Sequence, residues 1–159
     1  MEKFDIMSKS LIIYYSWSGN TEVIADYIAE FTGGDIFKIK PDNEYSSNYQ
    51  TCLKEAKDDL NSNARPKLQE YLNSISDYDT IYIGYPNWWG TLPMPILSLV
   101  EKLDFTGKTV KPFVTSGGSG MGSSKRYLEN SCKGANVKDG LSIRSSGISN
   151  AKSSVENWI

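Results

Sequence analysis

Histidine is absent from this chain of 159 residues. With no imidazole there is no Ser-His-Asp triad, no His-ligated metal and none of the usual proton shuttle at neutral pH. Cysteine is scarce, for Cys52 and Cys132 stand far apart with no Cys-x-x-Cys spacing, which argues against a structural zinc site and fits buried or idle thiols in a reducing cytoplasm. Nor does any apolar run approach the roughly 18–20 residues of a membrane span. Asn-x-Ser/Thr acceptors are missing, and residues 1–9 mix charges of both signs without the apolar core of a secretory signal. A short N-terminal extension over 1–9 and a cytoplasmic protein are therefore expected. Seventeen basic residues against nineteen acidic ones leave a net charge of -2, so neither nucleic acid nor a membrane surface is expected as a partner. Chemistry is left to a bound cofactor or to carboxylates, lysines and tyrosines.

What is present suits one soluble globular domain over 1–159, with 39% apolar and 23% charged residues. Leu11 to Tyr14 reads as a buried strand, and Val23, Ile24, Tyr27, Ile28 and Phe31 mark one face of a helix. Gly33-Gly34 ends that helix, and Asp35 to Ile39 alternates as a second strand. Cys52, Leu53, Ala56 and Leu60 predict a helix from Tyr49 to about Asn61, and Leu68, Tyr71, Leu72 and Ile75 a further helical turn or two after Pro66. Thr80 to Tyr85 has the β-branched and aromatic content of a central strand. Pro93 and Pro95 mark the entrance of a helix carrying Ile96, Leu99, Val100 and Leu103. Thr109 to Thr115 is the fourth strand, although Pro112 removes a ladder donor from it. A helix with Tyr127, Leu128 and Cys132, a strand over Gly140 to Arg144 and a helix capped by Ser149 or Asn150 complete the chain. Alternating strands and helices predict an α/β sandwich, a five-stranded parallel sheet of order 2-1-3-4-5 with helices on both faces. Gly107-Lys108-Thr109 mimics the end of a nucleotide-triphosphate loop, but Lys102 stands where that motif needs glycine. Asp58, Asp59 and Glu101 read as solvated helix charges.

In such a sheet ligands bind at the carboxyl ends of the strands, where the strand order reverses. Three loops converge there. Ser16-Trp17-Ser18-Gly19-Asn20-Thr21 links the first strand to its helix, and the unpaired N–H groups of that turn, aided by three hydroxyls, form an anion site without any Lys or Arg. Pro86-Asn87-Trp88-Trp89-Gly90-Thr91 follows the third strand, and Thr115-Ser116-Gly117-Gly118-Ser119-Gly120 the fourth. Together they describe a ligand with a phosphate at one end and a large flat ring at the other. Neighbouring residues in a strand-end loop do not easily face one core, which puts at least one of the two indoles at the ligand.

The first loop resembles the flavin-mononucleotide phosphate loop of flavodoxins, Thr/Ser-x-Thr/Ser-Gly-x-Thr. The second and third resemble the remaining flavin loops of flavodoxin-like proteins, including flavin-dependent quinone reductases. The resemblance implies FMN as cofactor, with Ser16 to Thr21 around the phosphate, Asn87, Trp88 and Trp89 bordering the isoalloxazine through amides near N5 and O4, and Thr115 to Gly118 along its pyrimidine edge. It further implies an electron carrier between redox partner proteins or, alternatively, an FMN-dependent NAD(P)H oxidoreductase acting on a quinone, nitro or azo compound. Oligomeric state stays open.

Overall fold

The computed structural model describes residues 9–159, so the expected extension lies outside the described residues except for Lys9, whose carbonyl accepts from Asp79 N at 3.0 Å. Strand β1 (Ser10–Tyr14) buries Leu11 to Tyr14 together, as a strand covered on both faces must. Helix α1 (Asn20–Thr32) buries Thr21, Ile24, Ala25 and Ile28 along one face. Strand β2 (Asp35–Lys38) is largely exposed, and helix α2 (Tyr49–Asn61) starts where Asn48 Oδ1 accepts from Thr51 N at 3.0 Å. Strand β3 (Thr80–Pro86) leads to α3 (Met94–Val100), which begins after Pro93, carries Pro95 in its first turn and is buried throughout. After β4 (Thr109–Ser116) come α4 (Ser124–Ser131), β5 (Asn136–Val137), β6 (Leu141–Arg144), a 3-10 helix over Ser145–Asn150 and α5 (Lys152–Trp158).

Every strand pairing is parallel, and the order is β2-β1-β3-β4-β5, with β6 also on β4. That is the expected doubly wound arrangement. Alternate side chains divide between two cores, because successive strand residues point to opposite faces. Leu11, Ile13, Ile81 and Ile83 pack with α3 residues on one side, and Ile12, Tyr14, Tyr82 and Phe113 pack with α1 and Val155 on the other.

The fifth strand departs from expectation, being split into two short pieces. Val110 to Phe113 is a step of three residues, while their partners Val137 and Leu141 are four apart, so the outer strand carries one residue more than β4. The cause is Pro112. Lys108 and Val110 turn carbonyls to this edge, accepting from Asn136 N and Lys138 N at 2.8 Å each, and the two-residue repeat brings Pro112 to the same edge with no N–H to offer. A helical turn after Pro66 does not form either. Leu68 instead bridges antiparallel to Pro41, with Gln69 N donating to Lys40 O and Asp42 N to Lys67 O at 2.8 Å each. Leu103 falls beyond α3, and the last helix opens after Ala151, since the 3-10 turn consumes Ser149 and Asn150. Glu101 is not merely solvated, for both its oxygens accept from Arg65, at 2.7 and 2.8 Å.

Gly84 pairs with Phe113 across the sheet, and a Cβ on it would stand 2.1 Å from that buried ring. Gly84→Ala is therefore expected to lose about 1–3 kcal/mol through overpacking, read as a lower urea midpoint with an unchanged slope.

Candidate functional site

Where β1, β3 and β4 end, on the boundary at which the strand order reverses, a cleft of about 310 Å³ opens. Its walls carry Trp17, Ser18 and Asn20 from the first loop, Pro86, Asn87, Trp88 and Trp89 from the second, and Thr115, Ser116 and Gly117 from the third. The three loops meet as expected. A wall that the sequence reading did not foresee comes from Tyr49, Cys52, Leu53 and Ala56 of α2, and Ser145 closes the far end.

The loop hydroxyls are largely committed to the scaffold. Ser16 Oγ accepts from Gly19 N at 3.1 Å and Glu22 N at 3.3 Å, capping α1 from within the loop, while Gly19 sits in the left-handed region at φ 98°. Thr21 and Thr115 share a buried hydroxyl–hydroxyl bond of 2.9 Å that ties the first loop to the third. Ser116 Oγ accepts from Gly118 N and Gly120 N at 3.2 and 3.1 Å. What the first loop offers a ligand is therefore backbone N–H groups together with the Ser18 hydroxyl and the O–H of Ser16, whose oxygen accepts but whose proton is unspent. Among the described residues the amides of Ser18, Asn20 and Thr21 meet no acceptor, and they sit at the positive end of the α1 dipole.

The second loop folds back on itself. Trp88 and Thr91 exchange backbone bonds of 2.9 and 3.2 Å around Trp89 at φ 57° and Gly90 at φ 82°, the signature of a type I′ turn. A bulky residue in that region costs about 1–2 kcal/mol relative to an ordinary backbone. The cost is offset by fixed contacts: Trp89 Nε1 donates to Leu53 O at 2.9 Å and Lys57 Nζ lies 4.2 Å from the centre of its ring. Trp88 instead packs edge-on against Tyr45 and Tyr15, with ring centroids 4.9 and 5.5 Å apart. Asn87 locks the second loop to the third, its N–H donating to Thr115 O, its Nδ2 to Gly120 O at 2.7 Å and its Oδ1 accepting from Gly90 N at 2.9 Å. Trp17 Nε1 donates to Ser46 O at 3.0 Å, which holds that indole at the rim.

Among the described residues no Asp, Glu, Lys or Arg lines the cleft, and its titratable groups are the Tyr49 phenol and the Cys52 thiol. Burial, with Glu55 adding to it, pushes the Cys52 thiol up to about 11 from its ordinary 9.0. A second depression of about 440 Å³ has Tyr45, Glu55 and Asp59 on its walls, and Tyr45 separates it from Trp88 of the cleft.

The sequence model of the flavodoxin family matches residues 9–159. The chain belongs to the flavodoxin family. A protein of Bacteroides uniformis assigned as a flavoprotein is 32% identical, with 95% of this chain and 97% of the other covered and a TM-score of 0.83. A flavoprotein of Lactobacillus acidophilus, solved in complex with FMN, is 27% identical over 92% of this chain and 99% of its own, with a TM-score of 0.71. No curated protein matches the chain.

Not every residue singled out in the sequence faces the flavodoxin cleft. Ser16, Gly19, Thr21, Gly90, Gly118 and Ser119 are absent from its lining. Ser16 and Thr21 serve the loop scaffold, Gly90 completes the turn, and Gly118 lies beside the Arg144 guanidinium. In the second loop the amides of Asn87, Trp88 and Gly90 already have acceptors, so of the amides expected to face a ring only that of Trp89 is left, among the described residues.

Two outcomes test this geometry. Thr21→Val and Thr115→Val are each expected to cost about 1–3 kcal/mol by stranding the partner hydroxyl, whereas the double variant recovers most of the loss, as a denaturant double-mutant cycle will show. Because the folded thiol keeps its proton up to about pH 11, alkylation of Cys52 by iodoacetamide should stay slow through the ordinary thiol range near 9.0 and rise only above it.

Proposed function

We propose that the chain binds FMN in this cleft and carries electrons between redox partner proteins in the cytoplasm. Bound FMN supplies reversible one- and two-electron redox chemistry, and the protein's part is to hold, orient and tune it. Support comes from the match between cleft and ligand. The amides of Ser18, Asn20 and Thr21, helped by the Ser18 hydroxyl, would hold the phosphate, each charge-assisted bond contributing about 1.5–3 kcal/mol. Trp88, Trp89 and Tyr49 offer aromatic surface to the ring, while the N–H of Trp89 and the third loop at Thr115 to Gly117 border its polar edge.

One observation carries the choice of carrier over enzyme: among the described residues the lining has no charged side chain, and its thiol keeps its proton at neutral pH. Reduction of a quinone, nitro or azo compound calls for a proton donor beside the acceptor, and among the described residues the lining offers only the Tyr49 phenol and the Cys52 thiol for that task, with no carboxylic acid, ammonium or imidazole. Electron exchange through the ring edge needs none. Trp89 and Tyr49, 45% and 61% exposed at the mouth, give a partner protein an apolar landing place beside the ring.

Titrating FMN into the purified chain should quench its fluorescence, with riboflavin binding weaker by about tenfold or more for each phosphate bond lost. The loaded chain should keep its colour with NAD(P)H alone and bleach only when a flavodoxin reductase is added. Equal affinity for riboflavin would displace the phosphate from the first loop. Rapid bleaching by NAD(P)H alone, with turnover of a quinone, would replace the carrier by the oxidoreductase.

A further inference from the structure

Trp88 faces two ways. It lines the 310 Å³ cleft, and its edge meets the ring of Tyr45, 4.9 Å between centroids at an interplanar angle of 84°. Tyr45 lines the 440 Å³ depression on the far side, and there its phenol donates to Asp59 Oδ2 at 2.5 Å. Cleft, indole, phenol and carboxylate thus form an unbroken series from the ligand side to the solvent side. We propose that Trp88, Tyr45 and Asp59 are a proton-coupled electron-donor relay that removes oxidising equivalents from the cleft.

The step balances in atoms and charge. A one-electron oxidant in the cleft takes an electron from the Trp88 indole. Tyr45 returns one electron to Trp88, and as it does so its phenolic proton passes along the existing hydrogen bond to the Asp59 carboxylate. The products are a reduced oxidant, a neutral tyrosyl radical and a protonated Asp59, and an ascorbate-class one-electron reductant at the surface supplies the electron that, with the proton returned from Asp59, restores the Tyr45 phenol. A phenol loses an electron readily only when its proton has somewhere to go, and that requirement selects Tyr45. Tyr15 is nearly as close to Trp88, at 5.5 Å, but among the described residues its hydroxyl donates to no acceptor. The same is true of Tyr49 beside Trp17 and of Tyr82 beside Trp158. Burial first, and then the bond to Asp59, hold the Tyr45 phenol far above its ordinary value, so the proton stays on oxygen until the electron leaves.

The oxidant in the working protein would be the light-excited isoalloxazine ring, and this part rests on the FMN reading above. The relay itself does not, and it is tested first without FMN. In the apo chain bearing Trp17→Phe and Trp158→Phe, azide radicals made by pulse radiolysis oxidise the remaining indoles. The indolyl absorption should decay into tyrosyl absorption at a rate independent of protein concentration. Tyr45→Phe and Trp88→Phe should abolish that conversion, Asp59→Asn should slow it, and Tyr15→Phe should leave it in place. Conversion that survives Tyr45→Phe, or that vanishes with Tyr15→Phe, overturns the relay. With FMN added and blue light applied, oxidised Trp88 should accumulate faster in Tyr45→Phe than in the parent chain, as peptide mass spectrometry reads. If radical transfer occurs in the apo chain and illumination changes nothing, the ring is not in the cleft, and the FMN reading fails while the relay stands.

Discussion

Polar groups buried at the carboxyl end of the sheet must find partners inside the chain, and this constraint shapes everything around the cleft. Leaving a buried donor or acceptor unpaired costs about 1–3 kcal/mol, and the loops over this packed core pair most of their buried hydroxyls, Thr91 Oγ1 of the second loop being the one left without a partner among the described residues. Thr21 and Thr115 satisfy each other across two loops, Ser16 and Ser116 each take two backbone amides, and Asn87 spends both ends of its side-chain amide on the second and third loops. The loops become a braced frame before any ligand arrives. What remains are main-chain N–H groups, whose positions are set by the frame and which lose no rotamer freedom on binding, together with the unspent O–H donors of Ser16, Ser18 and Ser116.

The frame in turn depends on the parallel register. Tyr14, Gly84 and Phe113 lie in one row, so β1, β3 and β4 release their chains at nearly the same level. Tyr15 N still reaches Gly84 O at 3.0 Å and Asn87 N reaches Thr115 O at 2.8 Å beyond the regular pairing. Each loop therefore starts from a point fixed by its neighbour. Gly84 allows the Phe113 ring to cross directly beneath this row, which fills the core under the cleft floor.

Much of this was legible in the sequence. Runs such as Leu11 to Tyr14 and Ile81 to Tyr85 read as buried strands because a sheet covered on both faces needs no alternation. The strand order and the meeting of the three loops followed from the alternation of strands with helices. Three things were not legible, each for a physical reason. Cys52, Leu53 and Ala56 have the spacing of a core-facing helix, and one apolar stripe serves equally well as a core face or as the wall of a cleft. Ser16 and Thr21 read as ligand hydroxyls because hydroxyls in a turn suit an anion, and their added roles, Ser16 capping α1 and Thr21 meeting Thr115, depend on loops that meet only in three dimensions. Pro112 signalled trouble in β4, yet the disturbance appears on its neighbour, where β5 and β6 part.

Trp88 and Trp89 show how a local backbone choice distributes function. In an extended strand adjacent side chains point to opposite faces, and one of these indoles would have been buried beneath the sheet end. Placing Trp89 in the left-handed region turns the chain back within two residues and brings both side chains to the same cleft, one anchored on Tyr45 and the other on Leu53 and Lys57. The backbone strain at Trp89 is therefore tied in part to α2, because the contacts that hold its side chain come from that helix, while Asn87, Thr91 and Ser123 hold the turn's backbone. It follows that α2 is more than cover for the sheet: its outer turn sets the width of the cleft, fixes the exposed indole, and through Asp59 holds the phenol behind Trp88. A change in the seating of this one helix would alter the cleft wall, its mouth and the aromatic cluster together, and through Tyr49 beside Trp17 it reaches the first loop as well.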